Sequence, residues 1–443
     1  MSISVKPRER AAVLQSLQAG LVPKIGLHLI QVGRKRELDS MLRDLGQITD
    51  EGASFRFVIG PFGSGKSFFL SLVRTLALQK KVAVVSADIT MERRLYAGSG
   101  QAQALFSELM RNLAIKARPE GGALRNLCDG WISNIRQSVI SAGGDEKKVK
   151  ERIQADLRDV QDQVGGFEFA EVLMRYFEGF TSGNEELQGA ALRWMRAEYT
   201  TKTEARQALG VRRIIEDENF YDSLKLMAVF ARKAGYTGLL VALDEMVVLS
   251  HRLPNARARQ SNYEAILSMF NDCMQGGARG LGFIMAGTKE FLEDPRRGIF
   301  SYEALRTRLV DNQFAGSGFT DLTGPVIRLQ CLSAEDLAVL LSNIATVQAG
   351  GDPAKWLVPK EAIHATLEKA NATLGAEFFK TPRDIVRSFV GLLNIIEQNP
   401  TASWQALIGD DFIQRPKEAL SAEESVAAVD ASPDDDGLAA FKL

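Results

Sequence analysis

Short hydrophobic runs alternate along the chain with longer segments whose hydrophobic positions recur every three or four residues. The first pattern predicts β-strands, and the second predicts amphipathic helices. Five runs predict strands, at Ser54–Ile59, Val82–Ile89, Gly238–Leu243, Leu281–Ala286 and Val326–Leu329. Runs such as Val82–Ile89 are almost without polar residues, so we expect both faces of their sheet to be covered.

Helical patterns lie between these runs and dominate residues 102–235. Strands that alternate with helices are typical of a parallel α/β sheet. The sequence therefore predicts an α/β fold with a parallel-sheet core and a large helical insertion. The predicted segments are 1–100 (first part of the core), 101–236 (helical insertion), 237–332 (rest of the core), 333–415 (C-terminal helices) and 416–443 (acidic disordered tail).

Composition excludes several classes of protein. Hydrophobic residues make up 45% of the chain and charged residues 25%, with a formal net charge of -1. This is ordinary globular composition without a general basic field, so contact with DNA would have to be local. The three cysteines and three histidines are widely spaced, which favours a reducing compartment and no metal cluster. No apolar run is long enough to span a bilayer, and we expect a cytoplasmic protein with no membrane partner.

One motif has a specific chemical meaning. Residues Gly60-Pro61-Phe62-Gly63-Ser64-Gly65-Lys66-Ser67 match G-x-x-x-x-G-K-[ST] in full, between a predicted strand and a predicted helix that continues with Phe68. The glycines let backbone N–H groups surround phosphate oxygens. Lys66 would contact the β- and γ-phosphates of ATP, and the Ser67 hydroxyl would bind Mg²⁺. The alternative is a glycine turn followed by a chance Lys-Ser pair.

A second motif supplies acidic residues. The apolar run Gly238–Leu243 ends in Asp244 and Glu245. A buried strand that ends in two acids presents them at the edge of a parallel sheet where ligands bind. Asp244 would hold Mg²⁺, and Glu245 would orient or activate the attacking water. Together the two motifs predict an enzyme that hydrolyses ATP to ADP and phosphate, with ATP and Mg²⁺ as its cofactors.

The order of these motifs resembles the AAA+ superfamily, in particular its branch of origin-recognition and loader-type ATPases. A box Val32-Gly33-Arg34 precedes the P-loop, and Thr288 follows the strand Leu281–Ala286. The resemblance implies that Val32 and Arg34 lie near the adenine. It also implies that Thr288 acts as a sensor-1 residue beside the γ-phosphate, although a threonine that caps a strand would look the same.

The resemblance extends to three arginines. The segment Tyr302–Leu309 resembles an arginine-finger segment, with Arg308 the first candidate and Arg306 the second. A finger reaches the γ-phosphate of a neighbouring subunit, which implies a homo-oligomer. Thr381-Pro382-Arg383 resembles the sensor-2 turn, which aims Arg383 at the phosphates, and the helices from residue 333 resemble a helical lid. The alternative for all three arginines is an exposed surface position.

A narrower resemblance joins GPFGSGKSFFL, LLVALDEM and EDPRRGIFSYEALRTRL, which are similar to the ATP-binding proteins called BrxD in BREX-type phage-defence islands. It covers roughly residues 20–400 and implies a partner helicase. We therefore expect an ATP-hydrolysing AAA+ loader or regulator that acts on DNA with a helicase, in phage defence or DNA repair. The alternatives are a STAND-like signalling ATPase and a non-hydrolysing ATP-binding scaffold.

Two features depart from the loader pattern. The insertion before Leu239 is far longer than a minimal core needs, and too few residues follow Arg383 for a winged-helix DNA-binding domain. DNA contact would then be weak or local, with the basic segments 251–259 and 147–152 as candidates. The acidic tail ends in hydrophobic residues, and a docking peptide or a solubilising tail would both fit it.

Overall fold

The protein is built around a five-stranded sheet whose strands all run parallel. The computed structural model describes residues 4–96, 98–312, 321–374, 382–409 and 412. The strands are β1 (Ala53–Ile59), β2 (Val82–Asp88), β3 (Gly238–Asp244), β4 (Leu281–Gly287) and β5 (Val326–Arg328). Almost every position of β1, β3 and β4 is buried, as expected for a sheet covered on both faces. The predicted parallel α/β fold is confirmed.

The order of the strands across the sheet is β2-β3-β4-β1-β5. In this order β4 separates β1 from β3, and the last residues of β1 and β4, Ile59 and Gly287, are paired. The last residues of β2 and β3, Asp88 and Asp244, are also paired. Because the strands are parallel, their carboxyl ends form one edge of the sheet, which is where open α/β sheets bind ligands.

Helices account for most of the remaining described residues. They are α1 (Pro7–Gln18), α2 (Lys35–Thr49), α3 (Lys66–Gln79), α4 (Gln101–Arg111), α5 (Leu124–Ser141), α6 (Glu146–Asp156), α7 (Arg158–Gln161), α8 (Gly166–Ser182), α9 (Glu185–Met195), α10 (Lys202–Leu209), α11 (Phe220–Lys233), α12 (Ala256–Met274), α13 (Lys289–Glu293), α14 (Glu303–Leu309), α15 (Ala334–Gln348), α16 (Lys360–Leu374), α17 (Pro382–Gln398) and α18 (Trp404–Leu407). Helices α4 to α11 lie between β2 and β3, in the region predicted to be a helical insertion.

The insertion shares its hydrophobic core with the sheet. Helix α4 packs against β2, and α11 packs against β3. Buried residues of the sheet such as Phe55 and Phe283, whose ring centroids lie 5.2 Å apart, belong to the same cluster as Trp131 and Phe230 of the insertion. Burial of these large side chains is the main stabilising contribution. The insertion is therefore held against the sheet by the core itself.

The chain divides into two compact units, and it passes between them twice. One unit is Gly33–Cys331, with the sheet and the insertion, and the other joins Met1–Val32 to Leu332–Leu443. In the second unit, α1 packs against α15 and α17. The first 32 residues, which the sequence pattern assigned to the core, thus pack with the C-terminal helices. The predicted acidic tail, 416–443, lies outside the described residues.

No helix in the described part of the chain is both long enough and apolar enough to cross a membrane.

Candidate functional site

The loop between β1 and α3 has a backbone that depends on its glycines. Gly63 and Gly65 adopt φ angles of 78° and 83°, in the left-handed region that favours glycine. A Cβ atom at Gly60 would lie 2.4 Å from the Ser64 hydroxyl and 2.8 Å from the Leu329 carbonyl oxygen, so no larger residue fits. The sequence therefore folds here into a tight loop, and the N-terminus of α3 follows it directly.

Lys66, the first residue of α3, points its ammonium group back into this loop. Its Nζ donates hydrogen bonds of 3.0 Å to the carbonyl oxygens of Gly60 and Pro61. Burial lowers the pKa of Lys66, and the nearby carboxylates of Asp244 and Glu245 oppose that shift. The ammonium group is thus held inside the loop, and its contact with phosphate oxygens stays a prediction.

Ser67 and Asp244, the two predicted magnesium ligands, lie in contact. The Ser67 hydroxyl donates a hydrogen bond of 2.6 Å to Asp244 Oδ2. Hydroxyl and carboxylate oxygens are ligands that Mg²⁺ accepts together with water and phosphate oxygens. The described residues contain no cluster of three or more His, Cys, Asp or Glu side chains that could hold a metal ion by themselves. The pair therefore fits an ion that arrives with a nucleotide.

Glu245 follows Asp244 in an unusual conformation. Its φ angle is 58°, and its backbone N–H donates a 2.8 Å hydrogen bond to Asp244 Oδ1. A left-handed non-glycine residue is uncommon and is often found at functional sites. Burial raises the pKa of Glu245, and the negative charges of Asp244 and Asp88 raise it further.

Asp88 belongs to the same group of carboxylates, although the sequence motifs did not identify it. It ends β2 and pairs in register with Asp244 at the end of β3. Burial raises the pKa of Asp88, Asp244 adds to this shift, and Arg93 opposes it. The sequence signal was an acid at the carboxyl end of a predicted strand, but only the strand order brings it beside Asp244.

Thr288 begins the segment after β4, at the same edge of the sheet. Its hydroxyl accepts a long hydrogen bond, 3.4 Å, from the N–H of Phe291, as a helix cap does. The preceding residue, Gly287, accepts a hydrogen bond of 3.2 Å from the N–H of Gly60 in the P-loop. Thr288 therefore directly follows a residue whose backbone is hydrogen-bonded to the loop. Its action as a sensor stays a prediction.

Glu290 is a second acid that the motifs did not identify. Burial alone would raise its pKa, but a hydrogen bond from Thr288, a backbone hydrogen bond and the positive charge of Lys66 hold the pKa below its usual range. Its charge is therefore stabilised close to Lys66. Because α13 is a single short turn, the sequence pattern did not place Glu290 in the site.

Arg34 supports the P-loop from the outside. Its guanidinium donates to the carbonyl oxygen of Ser64 at 3.1 Å and to that of Gln330, just after β5. Its own φ angle is 60°. Val32 belongs to the other compact unit, so the predicted position of Val32 and Arg34 beside the adenine stays a prediction. Phe62 is 73% exposed, and Phe68 is half-buried on α3.

The three candidate arginines are surface residues. Arg308 donates to Asn271 Oδ1 at 3.0 Å and to the carbonyl oxygen of Ala304 at 2.6 Å, while Arg306 pairs with Glu303 at 3.3 Å. None of these contacts is with the P-loop of the same chain. Arg383 belongs to the other compact unit, where it is exposed at the start of α17, after Thr381, which lies outside the described residues. All three roles stay predictions.

The candidate DNA-binding segments contain exposed basic residues. Arg252 and Arg257 flank the start of α12, and Lys147 and Lys150 project from α6. An exposed basic side chain without a defined groove is compatible with weak phosphate contact and with simple solvation. DNA contact at these segments stays a prediction.

Comparison with known families settles the assignment of the chain. Residues 5–411 match the family model described as BREX system ATP-binding protein BrxC/D. The chain belongs to this family. The match covers the sheet, the helical insertion and the C-terminal helices, so this BrxC/D protein resembles its family along almost the whole described structure. A comparison with curated proteins found no match.

Membership confirms the predicted resemblance and the prediction of ATP binding in a BREX system. In this BrxC/D protein the loop 60–67, Lys66, Ser67 and Asp244 form one arrangement, which is the candidate nucleotide site.

Proposed function

We propose that this BrxC/D protein is an AAA+ ATPase that hydrolyses ATP to ADP and phosphate. The main support is the 2.6 Å contact between Ser67 and Asp244, with Lys66 and Glu245 beside it. This arrangement combines the parts that phosphoryl transfer needs, namely a phosphate loop, a cation, a magnesium site and a group that orients water. A protein that only held ATP would not need Glu245 in this position.

Each residue has a separate task in the proposed reaction. Bound ATP would bring the phosphates, and Mg²⁺, where bound, would neutralise the charge that develops on them. The loop N–H groups and Lys66 hold the phosphate oxygens in place, and Ser67 and Asp244 supply oxygen ligands on the protein side. The Glu245 carboxylate accepts a hydrogen bond from the attacking water and orients it. For this task Glu245 must be ionised.

We further propose that hydrolysis drives a loader or regulator that assembles with itself and acts on DNA with a partner helicase during phage defence. The exposed finger candidates Arg306 and Arg308 support assembly, because neither contacts the P-loop of its own chain among the described residues. The exposed basic residues of α6 and α12 support local DNA contact. Three free cysteines, Cys128, Cys273 and Cys331, support a reducing compartment such as the cytoplasm.

The decisive experiment is Glu245→Gln, measured for ATP binding and for phosphate release. We expect binding to be retained and turnover to fall by about 10²–10⁴-fold, the usual contribution of a group that acts on the attacking water. Glu264→Gln, on the exposed side of α12, is the control and should behave as the parent. Equal turnover of parent and Glu245→Gln would contradict the proposal, and ATP binding without phosphate release in the parent would favour a scaffold or a signalling ATPase.

A further inference from the structure

The helical insertion contains a cavity whose lining shares no residue with the candidate ATP site. The cavity measures about 200 Å³, room for several water molecules at about 30 Å³ each. It lies between the ends of three helices, α4, α5 and α9. Its apolar lining is formed by the buried residues Met110, Leu124 and Leu192, and its polar lining by the arginines Arg111, Arg125 and Arg196.

The charges around this cavity do not balance. Arg111 lies 3.1 Å and Arg196 3.6 Å from the same carboxylate, Glu198. Arg125 makes no ion pair or side-chain hydrogen bond with any residue that the structure describes. Arg111 and Arg125 are exposed, and Glu198 is the one ion-pair partner that the three guanidinium groups have among the described residues.

Arg125 lies where a cation is unfavourable in the absence of a ligand. Arg111 and Arg196 close the C-terminal ends of α4 and α9, where the helix dipole favours positive charge. Arg125 instead lies in the first turn of α5, at the positive end of the dipole, and that turn has no side-chain cap. Packing and helix stability therefore account for two of the arginines but not for the third.

We propose that this cavity binds a phosphate group, held by Arg111, Arg125 and Arg196. Guanidinium groups form paired hydrogen bonds with phosphate oxygens, and an anion here would pair with Arg125 and with the uncapped start of α5. None of the three arginines belongs to the ATP site, so the proposal does not depend on the proposed hydrolysis. The phosphate belongs either to a free nucleotide or to a nucleic-acid strand, and the experiment distinguishes these sources.

The first test measures protection of individual arginines in the full chain bearing Lys66→Ala, which removes nucleotide binding at the P-loop from the readout. Phenylglyoxal modifies arginine side chains, and mass spectrometry gives the rate at each position. Inorganic phosphate, compared with chloride at equal ionic strength, should slow modification of Arg125 and Arg196 several-fold. Arg136, an exposed arginine of the same helix α5 that pairs with Glu146, is the control. Unchanged rates, or equal slowing at all three positions, would overturn the proposal.

The second test uses substitutions with opposite expected signs, again in the Lys66→Ala chain. The probes are AMP and a fluorescent single-stranded oligonucleotide, whose affinities are measured by calorimetry and anisotropy. Arg125→Gln should weaken binding of the probe that occupies the cavity about tenfold, the effect of one lost charged hydrogen bond. Glu198→Gln should strengthen it several-fold, because Arg111 and Arg196 lose their competing carboxylate.

The affected probe identifies the source of the phosphate. An effect on AMP, with or without an effect on the oligonucleotide, indicates a free nucleotide, and an effect on the oligonucleotide alone indicates a nucleic-acid strand. Both results support the phosphate site if Arg136→Gln leaves the affinities unchanged. If neither Arg125→Gln nor Glu198→Gln changes an affinity, the cavity is not a phosphate site. The same conclusion holds if the two substitutions shift an affinity in the same direction.

Discussion

The surroundings of Lys66 shift its pKa in opposite directions. Two carbonyl oxygens accept hydrogen bonds from its ammonium group, burial lowers its pKa, and the carboxylates of Asp244, Glu245 and Glu290 favour its charged form. A buried ammonium group in such a position is prepared for a strongly negative ligand, because triphosphate oxygens compensate its charge better than carbonyl dipoles do. The residue is therefore expected to contribute to binding before any chemistry occurs.

We predict that Lys66→Ala weakens ATP binding about 100-fold or more, since at least two charged hydrogen bonds to phosphate are lost at about 1.5–3 kcal/mol each. Titration calorimetry with ATP and Mg²⁺ measures the affinity. Lys80→Ala, at the exposed opposite end of the same helix, is the control and should bind as the parent does. An unchanged affinity in Lys66→Ala would remove loop 60–67 from the nucleotide site.

The ionisation of Glu245 leads to a prediction on how thermal stability depends on pH. Burial and the charges of Asp244 and Asp88 raise its pKa in the folded protein, so the stability linked to this group is complete below the ordinary carboxylate pKa of about 4.3. That stability is lost as the pH rises through the raised pKa. Glu245→Gln stays neutral, and without nucleotide it should melt about one degree higher than the parent at pH 8.

The advantage of Glu245→Gln should shrink as the pH is lowered from 8 toward 5. Thermal unfolding of both proteins at several pH values measures it, with Glu264→Gln as the exposed control. A constant difference across this range would mean that the ionisation of Glu245 is not coupled to folding.

At the scale of elements, the strands were predictable because their hydrophobic runs are long and nearly uninterrupted. Gly238–Leu243 and Leu281–Ala286 were each extended by one residue in the structure, to Asp244 and Gly287. Asp244 is charged and Gly287 has no side chain, so neither continues the hydrophobic pattern. A prediction from hydrophobicity alone therefore ended both strands one residue early. The P-loop was predictable for a related reason, since its glycines and Lys66 are contiguous in sequence.

The order of the strands was not predictable, and with it part of the site. Which strand lies beside which depends on packing between residues that are far apart in sequence, and no local pattern encodes that β4 separates β1 from β3. Asp88 approaches Asp244 only through the pairing of β2 with β3, across the whole insertion. Glu290 approaches Lys66 only through the short helix α13. Contiguous motifs can therefore be found in the sequence, whereas Asp88 and Glu290 join the candidate site only through strand pairing and packing between distant segments.

Arg34 connects three elements, and this leads to a prediction at the same scale. Its guanidinium joins the start of α2 to the Ser64 carbonyl of the P-loop and to the Gln330 carbonyl after β5. A lysine keeps the charge but cannot direct two N–H groups along fixed directions. Arg34→Lys should therefore weaken ATP binding about tenfold, the effect of one lost charged hydrogen bond, with little loss of stability.

Calorimetry and thermal unfolding of Arg34→Lys separate these two effects. Arg36→Lys, on the exposed side of the same helix, is the matched control. If Arg34→Lys binds ATP as tightly as the parent, the contact with Ser64 does not shape the loop.

At the scale of the whole molecule, the question is whether one chain contains a complete ATPase. The site holds Lys66, Ser67, Asp244 and Glu245, but Arg308 is bound to Asn271 and to its own helix rather than to the P-loop. Positive charge at the γ-phosphate stabilises the transition state of phosphoryl transfer, and a neighbouring subunit can supply it. Arg308 is exposed and therefore accessible to such a neighbour.

We predict that Arg308→Ala keeps the ATP affinity of the parent, while its turnover falls about 10³-fold and no longer rises with protein concentration. Mixing tests the arrangement directly. A chain with Arg308→Ala retains Glu245, and a chain with Glu245→Gln retains Arg308, so a mixed assembly contains sites in which both residues are intact. Turnover should then reappear when the two inactive variants are combined. The same mixture made with Arg306→Ala tests the second candidate. A mixture that stays inactive, or a parent whose turnover is independent of concentration, would mean that Arg308 acts within its own chain or not at all.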